Sequence, residues 1–394
     1  MQRNRALQAV VSLLAMAVFA LAPVSMATGA TTPNLIGVVH ATVSVGGVTV
    51  SWTHARPTVT YTVERSGTST PLCTVVGGSR CFVAVAALGS WSFVVVATSG
   101  SAQSTSPPTP PIAAHLTIVV AGQSNAIGAT SFTVDPLTHV NFMAPPYVNG
   151  ADTEDVIRWR TWFMARPPSA ITGRNGTVPL DTPQYQTEKH APHLATFGPE
   201  LGIARQIWED TRTPLTIIKA AYPGSSLAVD WNPLPGHGTL YAGMTSLVRA
   251  TMTTDAAAGR LDVLGAFVWF QGEADAGDVT WASAYQTNLT NLITAVRTDL
   301  PSASMLPIGI IEPSTSSFIA ATCGAACSGH SIADTEVRAA VAAVGQTISG
   351  VVVVDSITAD RTAASNFVHL SNLGELQVGS DIAKAAEPLI PGLS

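Results

Sequence analysis

Residues 118–128 read IVVAGQSNAIG: an apolar run ends in Ala-Gly, and Ser124 follows, flanked by Gln123 and Asn125. A serine at such a place is either a helix N-cap or a nucleophile. Three more stretches set polar residues straight after apolar runs. Gly224 lies in AAYPGSSLAVDW, Gln271 and Glu273 in WFQGEADA, and His369 in NFVHLSNLGELQVG.

A serine hydroxyl is a poor nucleophile at neutral pH. It needs a base within hydrogen-bond reach, and the base needs a partner that fixes its tautomer. The oxyanion that forms needs fixed donors. The chain supplies a candidate for each part: Ser124 as nucleophile, His369 as base, and an oxyanion hole from the backbone N–H groups of Ser124 and Gly224 with the side-chain amide of Gln271. Glycine at 122 and 224 also lets backbone approach a substrate closely. Gln123 and Asn125, beside the serine, are candidates for substrate binding, as is Trp231, read either as a sugar-stacking wall or as core.

The motifs GQSNAIG, FGPELGIA, AAYPGSSLAVDW, VWFQGEADA and HLSNLG, in this order, resemble the SGNH-hydrolase superfamily and, more narrowly, the sialate O-acetylesterase / carbohydrate esterase family 6 group. The resemblance runs from about Leu116 to the end of the chain. It implies a flavodoxin-like α/β/α sandwich and removal of acetyl esters from sugars, with the same roles for Ser124, Gly224, Gln271 and His369. In one place the chain departs from the pattern. Related sequences usually carry Asp three residues before the histidine, and here Asn366 stands there. Glu273 is the favoured acid because its loop already forms the site. Asp355, Asp360 or a Ser–His dyad oriented by Asn366 are the alternatives.

These residues need a scaffold that brings strand ends together. From HLTIVVAG onward, apolar runs (PLTIIKAAY, LDVLGAFVWFQG, SMLPIGIIEP, GVVVVDSI) alternate with amphipathic helical stretches. That pattern predicts a parallel sheet covered on both faces, with ligands at the carboxyl ends of its strands. Before it, residues 31–99 alternate with a period of two, punctuated by Gly-Gly and Arg-Pro, and predict a small β-sandwich of fibronectin III or immunoglobulin type. Residues 100–112, rich in Ser, Thr and Pro, predict a semi-extended linker. The esterase-like domain then occupies 113–394. Residues 1–27 have the charged, apolar, small-residue order of a secretory signal peptide, which predicts export and no membrane span in the mature chain. The four cysteines suit that destination, and the simplest pairing is Cys73–Cys81 and Cys323–Cys327.

Charged residues make up only 11% of the chain and the net charge is -6, with no cluster of Lys or Arg, so a nucleic-acid surface is not expected. The cysteine spacings do not fit a paired C-x-x-C zinc site, and the chemistry as read needs neither metal nor organic cofactor. The long stretch between residues 130 and 190, with Tyr147, Trp159 and Trp162, is a candidate cleft wall or simply a packed insertion. The expected protein is a secreted serine esterase acting on acetylated carbohydrate, such as xylan or sialic acid. Its rivals are a general short-chain esterase or lipase on the same fold and a non-catalytic carbohydrate-binding surface protein.

Overall fold

The computed structural model describes residues 35–128, 195–302, 328–356, 359 and 368–393, together with the short strands Asp155–Arg158, Thr177–Pro179, Gln184–Tyr185 and Ile308–Ile311. The proposed signal peptide, Cys323, Cys327, Asp360, Asn366, Tyr147, Trp159 and Trp162 lie outside the described residues.

The alternating segment forms β1 (Val39–Ser44), β2 (Gly47–Trp52), β3 (Thr60–Arg65), β4 (Pro71–Val76), β5 (Arg80–Ala84), β6 (Gly89–Trp91), β7 (Phe93–Ser99) and β8 (Ala102–Thr105). Two antiparallel sheets result, ordered β1-β2-β5 and β4-β3-β7-β8. Alternate side chains of β2 and β3 (Val48, Val50, Trp52, Tyr61 and Val63) turn inward and are buried, as strand geometry requires. The Cys73–Cys81 disulfide joins β4 of one sheet to β5 of the other.

The segment read as a semi-extended linker is instead fastened to β7. Beyond β8, Ser106 and Thr109 are buried, and each trades two hydrogen bonds with β7. Val95 N–H donates to Ser106 Oγ and Phe93 N–H to Thr109 Oγ1 at 2.9 and 3.0 Å, while the Ser106 and Thr109 amides donate to the carbonyls of Val95 and Phe93. Prolines cannot donate to a ladder. The hydroxyls between them supply acceptors, and the proline-rich run remains attached.

The chain then enters β9 (Ile112–Gly122), whose first residues pair antiparallel with β6 and whose remainder runs in a parallel sheet. A four-residue helical turn α1 (Ser124–Ile127) follows. Then come β10 (Asp155–Arg158), β11 (Thr177–Pro179), the β12–β13 pair (Gln184–Tyr185, Ala195–Thr196), α2 (Glu200–Thr211), β14 (Leu215–Ala221), α3 (Leu240–Ala257), β15 (Leu261–Phe270), α4 (Val279–Asp299), β16 (Ile308–Ile311), α5 (Ser328–Thr347), β17 (Val351–Val354) and α6 (Asn372–Ala386). The parallel strands lie in the order β14-β9-β15-β16-β17, with β10 and then antiparallel β11 beyond β14. Counted along the chain that core is second, first, third, fourth, fifth, the flavodoxin-like order, with its switch point between β9 and β15.

Buried residues of β9 divide between two cores. Leu116, Ile118 and Val120 pack with α2 and α6, and Val119 and Ala121 with α3, α4 and α5. The first core also contains Val48, Tyr61, Phe93 and other interior residues of the β-sandwich. Leu88 N–H donates to the Pro391 carbonyl at 2.9 Å. The sandwich and the α/β unit therefore share one interior. At the amino ends of the strands, far along the sheet from the loops described next, buried Asp262 accepts from Thr117 and pairs with Arg260, and His115 bonds Thr216.

Candidate active site

The switch point dictates where the turn bearing Ser124 sits. Gly122 ends β9 at φ +143°, and a side chain there would collide with the Phe270 carbonyl of β15. Glycine is needed here for contact with a neighbouring strand rather than with a substrate. Tyr222 N–H donates to Gly122 O, and Gln123 N–H to Phe270 O, both at 3.0 Å, so the turn is clamped between the ends of β14 and β15. Gln123 occupies the N-cap position and Ser124 is the first helical residue, so its hydroxyl does not cap the turn. At 7% exposure Ser124 is almost enclosed.

Asn125 is fully buried and spends its side chain on three bonds. Its Nδ2 donates to Glu273 Oε1 at 2.7 Å and to Val368 O at 3.2 Å, and its Oδ1 accepts from Leu370 N–H at 3.1 Å. The residues on both sides of His369 are thus held by the neighbour of Ser124. Ser371 then caps α6 by accepting from Gly374 N–H, which fixes the far side of the same segment. The turn bearing Ser124, the Glu273 carboxyl and the backbone on either side of His369 therefore meet at this asparagine.

Gly224 has φ +62°, a left-handed conformation, and among the described residues no heavy atom outside its chain neighbours lies within 4 Å of where a side chain would begin. The loop after it is braced from within: Ser225 Oγ donates to Tyr222 O and accepts from Trp231 Nε1. Gln271 is fully buried. Its Nε2 faces three acceptors: Asp275 Oδ2 at 2.6 Å, Ser225 O at 3.0 Å and Gln123 Oε1 at 3.2 Å. The Tyr285 hydroxyl lies 2.8 Å from Gln271 O and 3.0 Å from its Oε1. Asp275 also accepts from the backbone N–H groups of Leu227 and Ala228 at 2.7 and 2.9 Å. Burial pushes the Asp275 carboxyl up to about 6, against the hydrogen bonds from Gln271, Leu227 and Ala228. Burial likewise raises the Tyr285 phenol well above its ordinary value.

Beneath the turn lies a buried ion pair. Lys219 Nζ of β14 donates to Ile127 O at 2.8 Å and to Glu200 Oε1 at 2.7 Å, and Glu200 also accepts from Gly198 N–H. Among the described residues no group of three His, Cys, Asp or Glu side chains could hold a metal.

Several expectations change. Trp231 is fully buried and packs edge-on against Trp269, so it is core and not a sugar wall. Gln123, 3% exposed, and Asn125 face protein groups rather than an open cleft, so they organise loops. Asp355, just past the end of β17, is exposed and pairs with Arg338 at 3.7 Å. Asp275, Glu200 and Lys219 were not singled out in the sequence. The signal for Lys219 was a lone cation inside the apolar run PLTIIKAAY, and for Asp275 an acid one helical turn after Gln271.

No curated protein matches the chain. Among solved structures, a protein from Arabidopsis thaliana is 20% identical, with a TM-score of 0.46 over 70% of this chain and 99% of its own. A carbohydrate acetylesterase from Xanthomonas citri is 15% identical, with a TM-score of 0.48 over 90% and 75%. NanS is 14% identical, with a TM-score of 0.45 over 70% and 97%. Residues 115–387 match the family described as carbohydrate esterase, sialic acid-specific acetylesterase, and with that match spanning every loop of the site, the chain belongs to this family of carboxylic ester hydrolases.

Proposed function

We propose that the protein is an exported enzyme that removes O-acetyl groups from carbohydrate through an acyl-enzyme on Ser124. The observation that carries this reading is the bridge made by Asn125, which ties the turn bearing Ser124 to the backbone on both sides of His369. In the reaction, Ser124 Oγ attacks the acetyl carbonyl carbon while His369 takes the hydroxyl proton. The tetrahedral oxyanion is met by the N–H groups of Ser124 and Gly224 and by Gln271. Collapse breaks the bond to the sugar oxygen, which leaves with the proton from His369. Water, deprotonated by His369, then attacks the acetyl-serine and releases acetate.

Gln271 can serve without losing its support. Its amide nitrogen has two hydrogens and three acceptors, so one hydrogen is shared. The longest of these contacts, to Gln123, is the easiest to surrender to an oxyanion. Glu273 is the favoured acid because it is held in place by the residue that holds the His369 segment. The Cys73–Cys81 disulfide fits an oxidising destination.

The test is acetate release from acetylated xylan and from O-acetyl sialic acid by the wild type, Ser124→Ala and Glu273→Gln. The expected result is release by the wild type, none by the serine variant, and a strong loss in the glutamate variant. An active Glu273→Gln would hand the orienting role to Asn366. A folded wild type inert on both sugars but active on simple short-chain esters would make it a general esterase. Binding of acetylated sugar with no release of acetate would make it a binding protein.

A further inference from the structure

Asp275 takes no part in the steps above, yet it is fully buried where two strand-end loops meet. One loop follows β14 and carries Gly224, and the other follows β15 and carries Gln271. The same carboxylate accepts from Leu227 N–H and Ala228 N–H in the first and from Gln271 Nε2 in the second. We propose that Asp275 is a positioning residue for the oxyanion hole: by holding both loops on one carboxylate, it sets Gly224 against Gln271 and fixes which end of the Gln271 amide faces the site. This inference rests on the esterase reading above.

The argument for orientation is chemical. An ionised carboxylate only accepts, so the Gln271 atom beside it has to be nitrogen. Tyr285 has a single hydroxyl hydrogen, shared between the Gln271 carbonyls, and it lies against the Oε1 side. The amide is therefore read from both ends, with one hydrogen held by Asp275 and the other turned toward Ser225, Gln123 and the reacting carbonyl. An asparagine at position 275 could donate as well as accept. It would allow the Gln271 amide to turn over and present Oε1 to the oxyanion, which repels it. Among the described residues, Asp230 lies close enough for its charge to act on Asp275, and no cation is among the groups acting on it. Among the described residues its hydrogen-bond partners are the N–H groups of Leu227, Ala228 and Gln271.

The experiment is a double-mutant cycle on hydrolysis of p-nitrophenyl acetate, using Asp275→Asn, Gln271→Ala and the pair, each verified as folded by circular dichroism. Removal of an oxyanion donor costs about 100-fold in kcat, so Asp275→Asn is expected to lower kcat by about tenfold or more with KM within about twofold. In the Gln271→Ala background the same change is expected to cost less than about threefold, because the residue it orients is gone. Equal losses in the two backgrounds, or unchanged kcat in Asp275→Asn, would overturn the proposal. Should Asp275→Asn not fold, Asp275→Ser enters the same cycle with the same criteria. Full turnover by Ser124→Ala would sink the esterase reading itself, whereas a dead Ser124→Ala with an additive cycle sinks only the role of Asp275.

Discussion

Asn125 Oδ1 accepts the Leu370 amide at 3.1 Å, across 245 residues of sequence, while its Nδ2 holds Glu273. The candidate site is closed at its centre by the side chain next to Ser124 rather than by Ser124 itself. Asn125→Leu keeps the volume and removes all three bonds. Each buried group left unsatisfied costs about 1–3 kcal/mol, so urea unfolding should show a loss of that order or a small multiple of it. Misplacement of His369 should also lower kcat by about 100-fold. A variant that loses stability but keeps kcat would show that Asn125 is only a structural brace.

The Lys219–Glu200 pair is buried, with side-chain exposures of 7% and 0%. Lys219→Met strands a carboxylate under the turn that bears Ser124 and frees the Ile127 carbonyl. Breaking a buried pair in this way costs about 3–5 kcal/mol. The double variant Lys219→Met/Glu200→Leu should recover part of that loss, although Gly198 N–H then lacks its acceptor. Thermal unfolding of the two variants side by side checks the order.

Because the sandwich and the α/β unit share a core, calorimetry should show one unfolding transition. Reducing the Cys73–Cys81 bridge, which spans a sequence separation of 8, should lower stability by about 2–3 kcal/mol through the entropy of the unfolded chain. The transition should remain single after reduction. Two resolved transitions would contradict the shared interior.

Stability should also depend on pH through Asp262. Burial, aided by the charge of Asp255 and opposed by Arg260 and Thr117, pushes this carboxyl up to about 7, and His115 nearby is pushed down to about 4. A raised carboxyl binds its proton more tightly in the folded protein than in the unfolded one. Its contribution is therefore most favourable at low pH and is lost as pH rises from about 4 to about 7. His115, with a lowered value, stays neutral when folded and changes the slope in the opposite sense between about 4 and about 6.5, where the unfolded histidine takes up a proton. Asp262→Asn should therefore gain stability relative to the wild type as pH is raised from 5 to 8, measured by denaturant midpoints. A difference that does not vary with pH would show that Asp262 does not titrate in this range.

The parallel sheet and its loops were legible because their signals are local. Apolar runs such as LDVLGAFVWFQG end at the residues that matter, and GQSN and HLSNLG mark the loops that follow. Burial of polar groups was not legible. Trp231 and Asp275 follow loops of similar composition, and nothing in their types says that both sit at zero exposure. The proline-rich run read as a spacer because prolines dominate it. Its attachment depends on two hydroxyls, Ser106 and Thr109, whose partners lie in a strand several residues earlier.

Strand β9 begins as the antiparallel neighbour of β6 and continues as the centre of a parallel sheet. Synthesis runs from the amino end, so the sandwich can fold before β14 and β15 have been made. A parallel sheet is slow to start, since its partners are distant in sequence. Here β6 gives the growing chain a template for the first residues of β9, and the central strand can be laid down before its parallel neighbours arrive. Pulse-labelled hydrogen exchange during refolding should find the amides that residues 112–114 of β9 donate to β6 protected together with those of β7 and ahead of those of β16. The accessory module would then act on the enzyme in time as well as in space, as the edge from which the catalytic sheet is seeded.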